Sequence, residues 1–362
     1  MCWETGPPGG HTGLASEIAQ AGAERFDFVV VSGSLDPGLA GAVEWLRVPA
    51  PAGPFRARWA AFYLAGGPRV ARARADVVHT IGPAPLVPNR VDLATANFCH
   101  AGFHEAGGTA RQLTSRMTLA LERWSYAGSR TKLVEMETRA AAEAFRRHYP
   151  GADVEVVPRR FDLDRYRPDA DARSAIRREL GTDPDTVVGV FAGRDHHAKG
   201  LRFAIKGLAI AQRSARLPLT LWVTGYDDAA YVRRLAARWG IEGQVHPLGW
   251  RTDMERLYAG ADMLVLPTLY EQGSRASHEA AASALPLVVT PVHGAAELVG
   301  EDEGGIRVRR DTESVAAAIA SLAGDPELRA RMGHRARERC LELNAGADHT
   351  ARFLDLYGRL AA

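Results

Sequence analysis

Residues 262–290, DMLVLPTLYEQGSRASHEAAASALPLVVT, constrain the fold more than any other stretch of the chain. Met263–Leu266 is a short apolar run stopped by Pro267, the pattern of a strand buried on both faces. Leu287–Val289 is a second such run, entered through Pro286. Between them lie a loop holding Gly273 and an alanine-rich segment, 277–284, whose composition predicts a helix. A strand that feeds a helix and returns to a strand is the repeating unit of a parallel α/β sheet. Its loop points backbone N–H groups and a helix N-terminus at one spot, which favours negative charge. Glu271 and Glu279 mark this loop and helix. Carboxylates repel phosphate but accept hydrogen bonds from hydroxyls, as the acid on the ribose does in dinucleotide folds. The stretch therefore suggests a ligand bearing both phosphates and hydroxyls. An ordinary βαβ unit with surface acids accounts for the same residues.

The alternation runs the length of the chain. Apolar segments at 28–31, 76–81, 91–96, 132–134 and 154–157 predict strands in the first half, and 186–191, 219–223 and 245–248 predict them in the second. Helical spacing follows most of them, as with Leu201, Ile205, Leu208 and Ala209, and Phe353, Leu354 and Tyr357 form the apolar face of a closing helix at 348–360. At 362 residues the chain is too long for one ordinary core, and the turn-rich, charged segment VPRRFDLDRYRP at 157–168 marks the boundary between two α/β domains.

Composition narrows the function classes. Lys and Arg number 45 against 43 Asp and Glu, so no overall field attracts nucleic acid. Cys2, Cys99 and Cys340 are widely spaced and odd in number, which fits a reducing cytoplasm better than a disulfide framework or a zinc site. No apolar run approaches the ~20 residues of a membrane span, and MCWETGPPGG has neither the basic nor the apolar region of a signal peptide. Segment 55–75 is basic and aromatic. It suits either an anionic membrane surface or, as we favour, a helix with its aromatic residues in the core.

Candidate ligand-binding residues gather after strands. Gly9 and Gly10 lie in a glycine-rich turn before an amphipathic helix. Arg194 and Lys199, in AGRDHHAKG, flank the start of the helix that follows the 186–191 strand, a place where two cations complement a diphosphate. His100 and His104 sit in a predicted loop after the 91–96 strand, where a His could hydrogen-bond a sugar or could be satisfied by backbone. No Asp-x-Asp suited to a divalent ion follows a strand in the second half; Asp183 and Asp185 precede one.

Together these motifs resemble glycosyltransferase family 4, the retaining enzymes of the GT-B fold. Glu271 and Glu279 match the family's E-x7-E pattern. Gly193, Arg194, Lys199 and Gly200 match its Gly-Arg-x4-Lys-Gly pattern, Gly9 and Gly10 its N-terminal glycine pair, and Cys99 with His100 a Cys-His found in part of the family. Five positions depart from it. Gln272 and Ser274 flank Gly273 where Glu-Gly-Phe-Gly is common, Arg159 and Arg160 replace the hinge Asn-Gly, and Ala284 replaces a glycine.

The resemblance implies two Rossmann-like domains with parallel sheets facing across a cleft. One would be 1–158, joined by the C-terminal helix 348–362 and serving the acceptor. The other, 159–347, would hold the donor. It implies transfer of a sugar from a nucleoside-diphosphate sugar to a hydroxyl acceptor, without metal or cofactor. Arg194 and Lys199 would hold the diphosphate, Glu279 the ribose and Glu271 the sugar hydroxyls. Trp250 would lie along the base, Gly193, Gly273, Ser274 and Arg275 would line the donor, and His100 would touch the sugar near the reacting carbon. A nucleotide-sugar-binding protein without turnover is the alternative. A Rossmann oxidoreductase ranks far behind, since no G-x-G-x-x-G with a following acid is present.

Overall fold

The computed structural model describes residues 1–6, 13–49, 51–84, 91–108, 113–128, 130–214, 218–225 and 228–362. The chain divides into two compact units. One comprises Met1–Glu105, Thr109–Arg160 and Ala347–Ala362; the other is chiefly Phe161–Gly346.

In the first unit, β1 (Val29–Ser32) and β2 (Glu44–Arg47) pair in parallel, and β3 (His79–Ile81), β4 (Val91–Thr95), β5 (Thr131–Met136) and β6 (Val154–Val156) form a parallel sheet in that order. The first residues connect the two sheets: Cys2 N donates to Val31 O, Gly33 N to Trp3 O and Ile81 N to Met1 O. The helices are α1 (Leu14–Gly22), α2 (Phe55–Ala73), α3 (His100–Glu105), α4 (Leu113–Tyr126) and α5 (Arg139–His148). On α2, Phe62 is buried and the Trp59 ring lies tilted against Tyr63, so the basic-aromatic segment places part of its aromatic face inside.

The second unit holds β7 (Val187–Ala192), β8 (Leu219–Thr224), β9 (Val245–Gly249), β10 (Met263–Leu266), β11 (Leu287–Val289) and β12 (Gly305–Arg307). All neighbours are parallel, in the order β12-β11-β10-β7-β8-β9. Around them lie α6 (Ala170–Glu179), α7 (Leu201–Ser214), α8 (Ala229–Ala237), α9 (Met254–Gly260), α10 (Arg275–Ala282), α11 (His293–Val299), α12 (Thr312–Gly324) and α13 (Pro326–Asn344). Both faces of β7, β8 and β10 are buried, which is why these strands read as unbroken apolar runs. Asp262 fixes β10 beside β7. Its carboxylate accepts from Arg173 (2.8 Å), from Arg177 (2.6 Å) and from the Val188 backbone N–H (2.7 Å).

The last helix, α14 (His349–Ala361), packs Phe353, Leu354, Leu356 and Tyr357 against Leu14, Ile18 and Leu93 of the first unit. Asp169, Asp311, Asp325 and Asp348 cap α6, α12, α13 and α14 through their side chains, satisfying N–H groups that a helix start otherwise leaves unpaired. No helix among the described residues is long and apolar enough to cross a membrane.

Candidate active site

The second unit gathers most of the candidate residues at the carboxyl ends of β7 and β10. β7 ends at Ala192, and Gly193 N–H donates to Thr224 O at 3.2 Å. The loop then tightens on itself: Asp195 accepts from Ala198 N–H through its side chain (2.9 Å) and from Lys199 N–H through its carbonyl (2.8 Å). Two glycines make this possible. A Cβ on Gly193 would stand 2.7 Å from Cγ of Lys199, so the bare backbone lets the lysine stem lie against it. Gly200 has φ +83°, and a Cβ there would run into the Pro267 carbonyl. Leu269 N–H donates to Ala198 O at 2.8 Å, joining this loop to the segment after β10.

That arrangement brings Lys199 to Glu271. Nζ and Oε1 are 2.8 Å apart, with the two side chains 20% and 16% exposed. The pair is desolvated enough to be held and open enough to meet a ligand. Around Glu271 the loop is fixed by α11: His293 Nδ1–H donates to Glu271 O at 2.7 Å, and Gly294 N–H donates to Gln272 O at 3.0 Å. Ser274 adopts a left-handed conformation (φ 47°) just before α10, and its hydroxyl lies 3.4 Å from Glu271 Oε2 and 2.5 Å from Ser277 Oγ. Glu279 is buried on α10. It accepts from Arg275 Nε at 2.7 Å and from Tyr258 OH at 3.4 Å. Burial first, and the Glu279 charge second, push Tyr258 well above the usual phenol range, so it remains a donor.

Arg194 is exposed in the same loop, and Trp250 is 55% exposed just past β9, two strands from β7. Gly9 and Gly10 lie outside the described residues. Among the described residues no group of three or more His, Cys, Asp or Glu could hold a metal ion.

His100 belongs to the first unit, and its surroundings differ from the expected loop. It is the first residue of α3, and His104 lies in the same helix. The turn forms because Glu122 of α4 accepts from the backbone N–H of His100 (2.6 Å) and of Ala101 (3.1 Å). Its carboxylate also meets His100 Nδ1 at 2.9 Å and Tyr149 OH at 2.6 Å. His104 Nε2 is instead paired with Ser115 Oγ at 2.7 Å.

Residues 8–165 match the family model described as Glycosyltransferase Family 4, and residues 186–325 match the one described as Glycosyl transferases group 1. The chain belongs to glycosyltransferase family 4. A D-inositol 3-phosphate glycosyltransferase of Xylanimonas cellulosilytica is 32% identical over 235 residues, covering 61% of this chain and 55% of the relative. An alpha-maltose-1-phosphate synthase of Mycobacterium tuberculosis is 26% identical over 233 residues, covering 60% of each. The chain thus spans little more than half the length of these curated relatives. Its fold is GT-B. WaaG, a glycosyltransferase involved in lipopolysaccharide biosynthesis, superposes with a TM-score of 0.82 at 23% identity over 99% of this chain and 97% of WaaG. Anabaena HepE, solved in complex with UDP-glucose, gives 0.74 at 20% identity over 98% of each chain.

Several residues of this family-4 chain that shape its candidate site are not evident from motifs. Gln272 is buried, with no hydrogen-bond partner for its Nε2 among the described residues. His293 and Tyr258 support the two glutamates from elsewhere in the sequence. Glu122 had a readable signal: Thr118, Leu121, Glu122 and Ser125 all lie on the buried stripe of α4, and a carboxylate on such a stripe needs partners.

Proposed function

We propose that this chain transfers a sugar from a nucleoside-diphosphate sugar to a hydroxyl acceptor, with retention at the anomeric carbon and without a metal ion. The observation that carries the reading is the Lys199–Glu271 pair at the carboxyl edge of the β7–β10 sheet. It joins a cation suited to a leaving diphosphate to a carboxylate suited to sugar hydroxyls. Bond cleavage at a glycosyl phosphate develops negative charge on the leaving group, and a preorganised ammonium stabilises that charge where it forms. Arg194, exposed in the same loop, adds a second cation. Glu279, held by Arg275 and Tyr258, is suited to accept from the ribose. The diphosphate oxygen, leaving on the face where the acceptor arrives, takes the acceptor's proton, so the reading assigns no enzymic nucleophile. The UDP-glucose complex of HepE and the glycosyl acceptors named in the relatives support the substrate class. Three buried, unpaired cysteines suit work in the cytoplasm.

The test is release of nucleoside diphosphate from a panel of nucleotide sugars in the presence of EDTA. Turnover is expected to survive the chelator, and Lys199→Ala is expected to raise the barrier by about 3 kcal/mol, over a hundredfold in rate, with an unchanged melting temperature. Binding without turnover across the panel would point to an inactive nucleotide-sugar-binding protein. Loss with EDTA restored by Mg²⁺ or Mn²⁺ would refute metal independence. Activity of Lys199→Ala within a few-fold of the parent would remove Lys199 from the site.

A further inference from the structure

The Glu122 carboxylate is the most densely hydrogen-bonded side chain near any of the candidate residues. Oε1 accepts from Tyr149 OH (2.6 Å), Ala101 N–H (3.1 Å) and Cys99 Sγ (3.6 Å); Oε2 meets both the backbone N–H and the Nδ1 of His100, at 2.6 and 2.9 Å. Glu122 is fully buried, and Cys99 and Tyr149 are buried around it. Burial alone would push this carboxyl up, but hydrogen bonds from His100 and Tyr149 outweigh it and hold it below the usual carboxylate range. Glu122 is therefore ionised, and an ionised carboxylate only accepts. The facing Nδ1 of His100 must carry a proton. The imidazole side chain is 24% exposed, and its Nε2 has no hydrogen-bond partner among the described residues.

We infer that Glu122 is a positioning residue that locks His100 in its Nδ1–H form, so that Nε2 presents a lone pair to a hydroxyl of the bound substrate. The inference rests on the proposed sugar-transfer function and on the role that the family resemblance implies for His100, contact with a sugar hydroxyl. Whenever the ring is uncharged, a proton held on Nδ1 leaves Nε2 to accept a hydrogen bond rather than donate one. The substrate group that meets it is then a hydroxyl and not a phosphate oxygen. The same carboxylate caps α3 and orients the ring, so the position of Nε2 and the course of the backbone at His100 are set by one group.

Long-range ¹⁵N–¹H correlation spectra of the intact protein read the tautomer directly, with the His100 signals assigned by their loss in His100→Ala. The Nδ1–H form is expected in the parent protein, and an Nε2–H form there overturns the inference without any change at Glu122. Steady-state kinetics on Glu122→Gln, His100→Ala and the double variant form the second arm. Removing a partner that orients a functional histidine typically lowers activity about 10–100-fold. Glu122→Gln should lower kcat by that factor with donor KM changed less than about threefold, and should have almost no further effect in the His100→Ala background. An equal loss in both backgrounds means that Glu122 acts only through the fold, and overturns the inference. If His100→Ala keeps full kcat, the placement of His100 at the sugar fails and the inference with it. The tautomer and additivity results, by contrast, can fail while that placement stands.

Discussion

Buried carboxyls in the first unit show how one residue's surroundings decide its charge. Glu122 has five donors and stays ionised. Glu135, on β5, is as deeply buried, yet neither of its oxygens has a hydrogen-bond partner among the described residues. Burial pushes its carboxyl from 4.5 up to about 7, and the Arg159 charge only partly opposes this. In an unfolded chain the group ionises near 4.5, so between there and about pH 7 the folded protein holds a proton that the unfolded one has lost. Stability must then fall as pH rises through that window, by up to about 3 kcal/mol in all. Glu135→Gln removes this dependence. Thermal unfolding of both proteins between pH 4.5 and 8 is expected to show the variant gaining on the parent as pH rises, and parallel curves would contradict the assignment. Neither carboxyl is distinguishable by motif. Glu271 and Glu279 stand out by their spacing within one loop-helix segment, although Lys199, His293 and Tyr258 reach them from other elements. The partners of Glu122 and Glu135 come from other elements, which no local pattern encodes.

At the scale of elements, the end of α10 explains one departure from the family pattern. Ala284 N–H donates to Ala281 O at 2.9 Å and Leu285 N–H to Ala280 O at 3.0 Å, the paired bonds of a Schellman motif. That motif needs a left-handed residue after the cap, and Ala284 fills it at φ +59°. A left-handed L-residue other than glycine is strained by roughly 1–2 kcal/mol. Ala284→Gly should relieve this, less the greater freedom glycine gains in the unfolded chain, for a net stabilisation of about 1 kcal/mol. A rise of a few degrees in melting temperature would show it, and an unchanged or lower value would mean the surrounding backbone has already relaxed. The same motif moves the helix: the alanine-rich composition predicts 277–284, whereas α10 runs Arg275–Ala282. Apolar runs such as Met263–Leu266 and Leu287–Val289 were legible to the residue because strands buried on both faces leave an unbroken signal. β2, mostly exposed, and α6, with Ile176 and Arg177 its only buried residues, left no such pattern. The short α3 contains a glycine and reads as loop, because what holds it is Glu122 from another helix.

For the whole molecule, the chain's end matters more than its position suggests. The second unit has a large core of its own, built on β7, β8, β10 and β11. The core of the first unit is smaller, and α14 completes one of its clusters: Phe353, Leu354, Leu356 and Tyr357 pack with Leu14, Ile18, Leu93 and Val157. Polar contacts add to this. Tyr357 OH lies 2.7 Å from His79 Nδ1, and the His79 ring stacks on Phe353. Burial, more than any neighbouring charge, holds His79 well below the usual imidazole range, so it stays neutral in this core. Burying four such side chains stabilises by about 1.5–3 kcal/mol each, a sum comparable to the ~5–15 kcal/mol that holds a domain together. Deleting 347–362 should therefore unfold the first unit and leave the second folded. Calorimetry is expected to show one of two transitions lost and the other unmoved, and limited proteolysis a stable fragment beginning near Phe161. Loss of both transitions would mean that the second unit depends on the first for its stability. Survival of both would mean that α1 and the β3–β6 sheet close their core without the last helix.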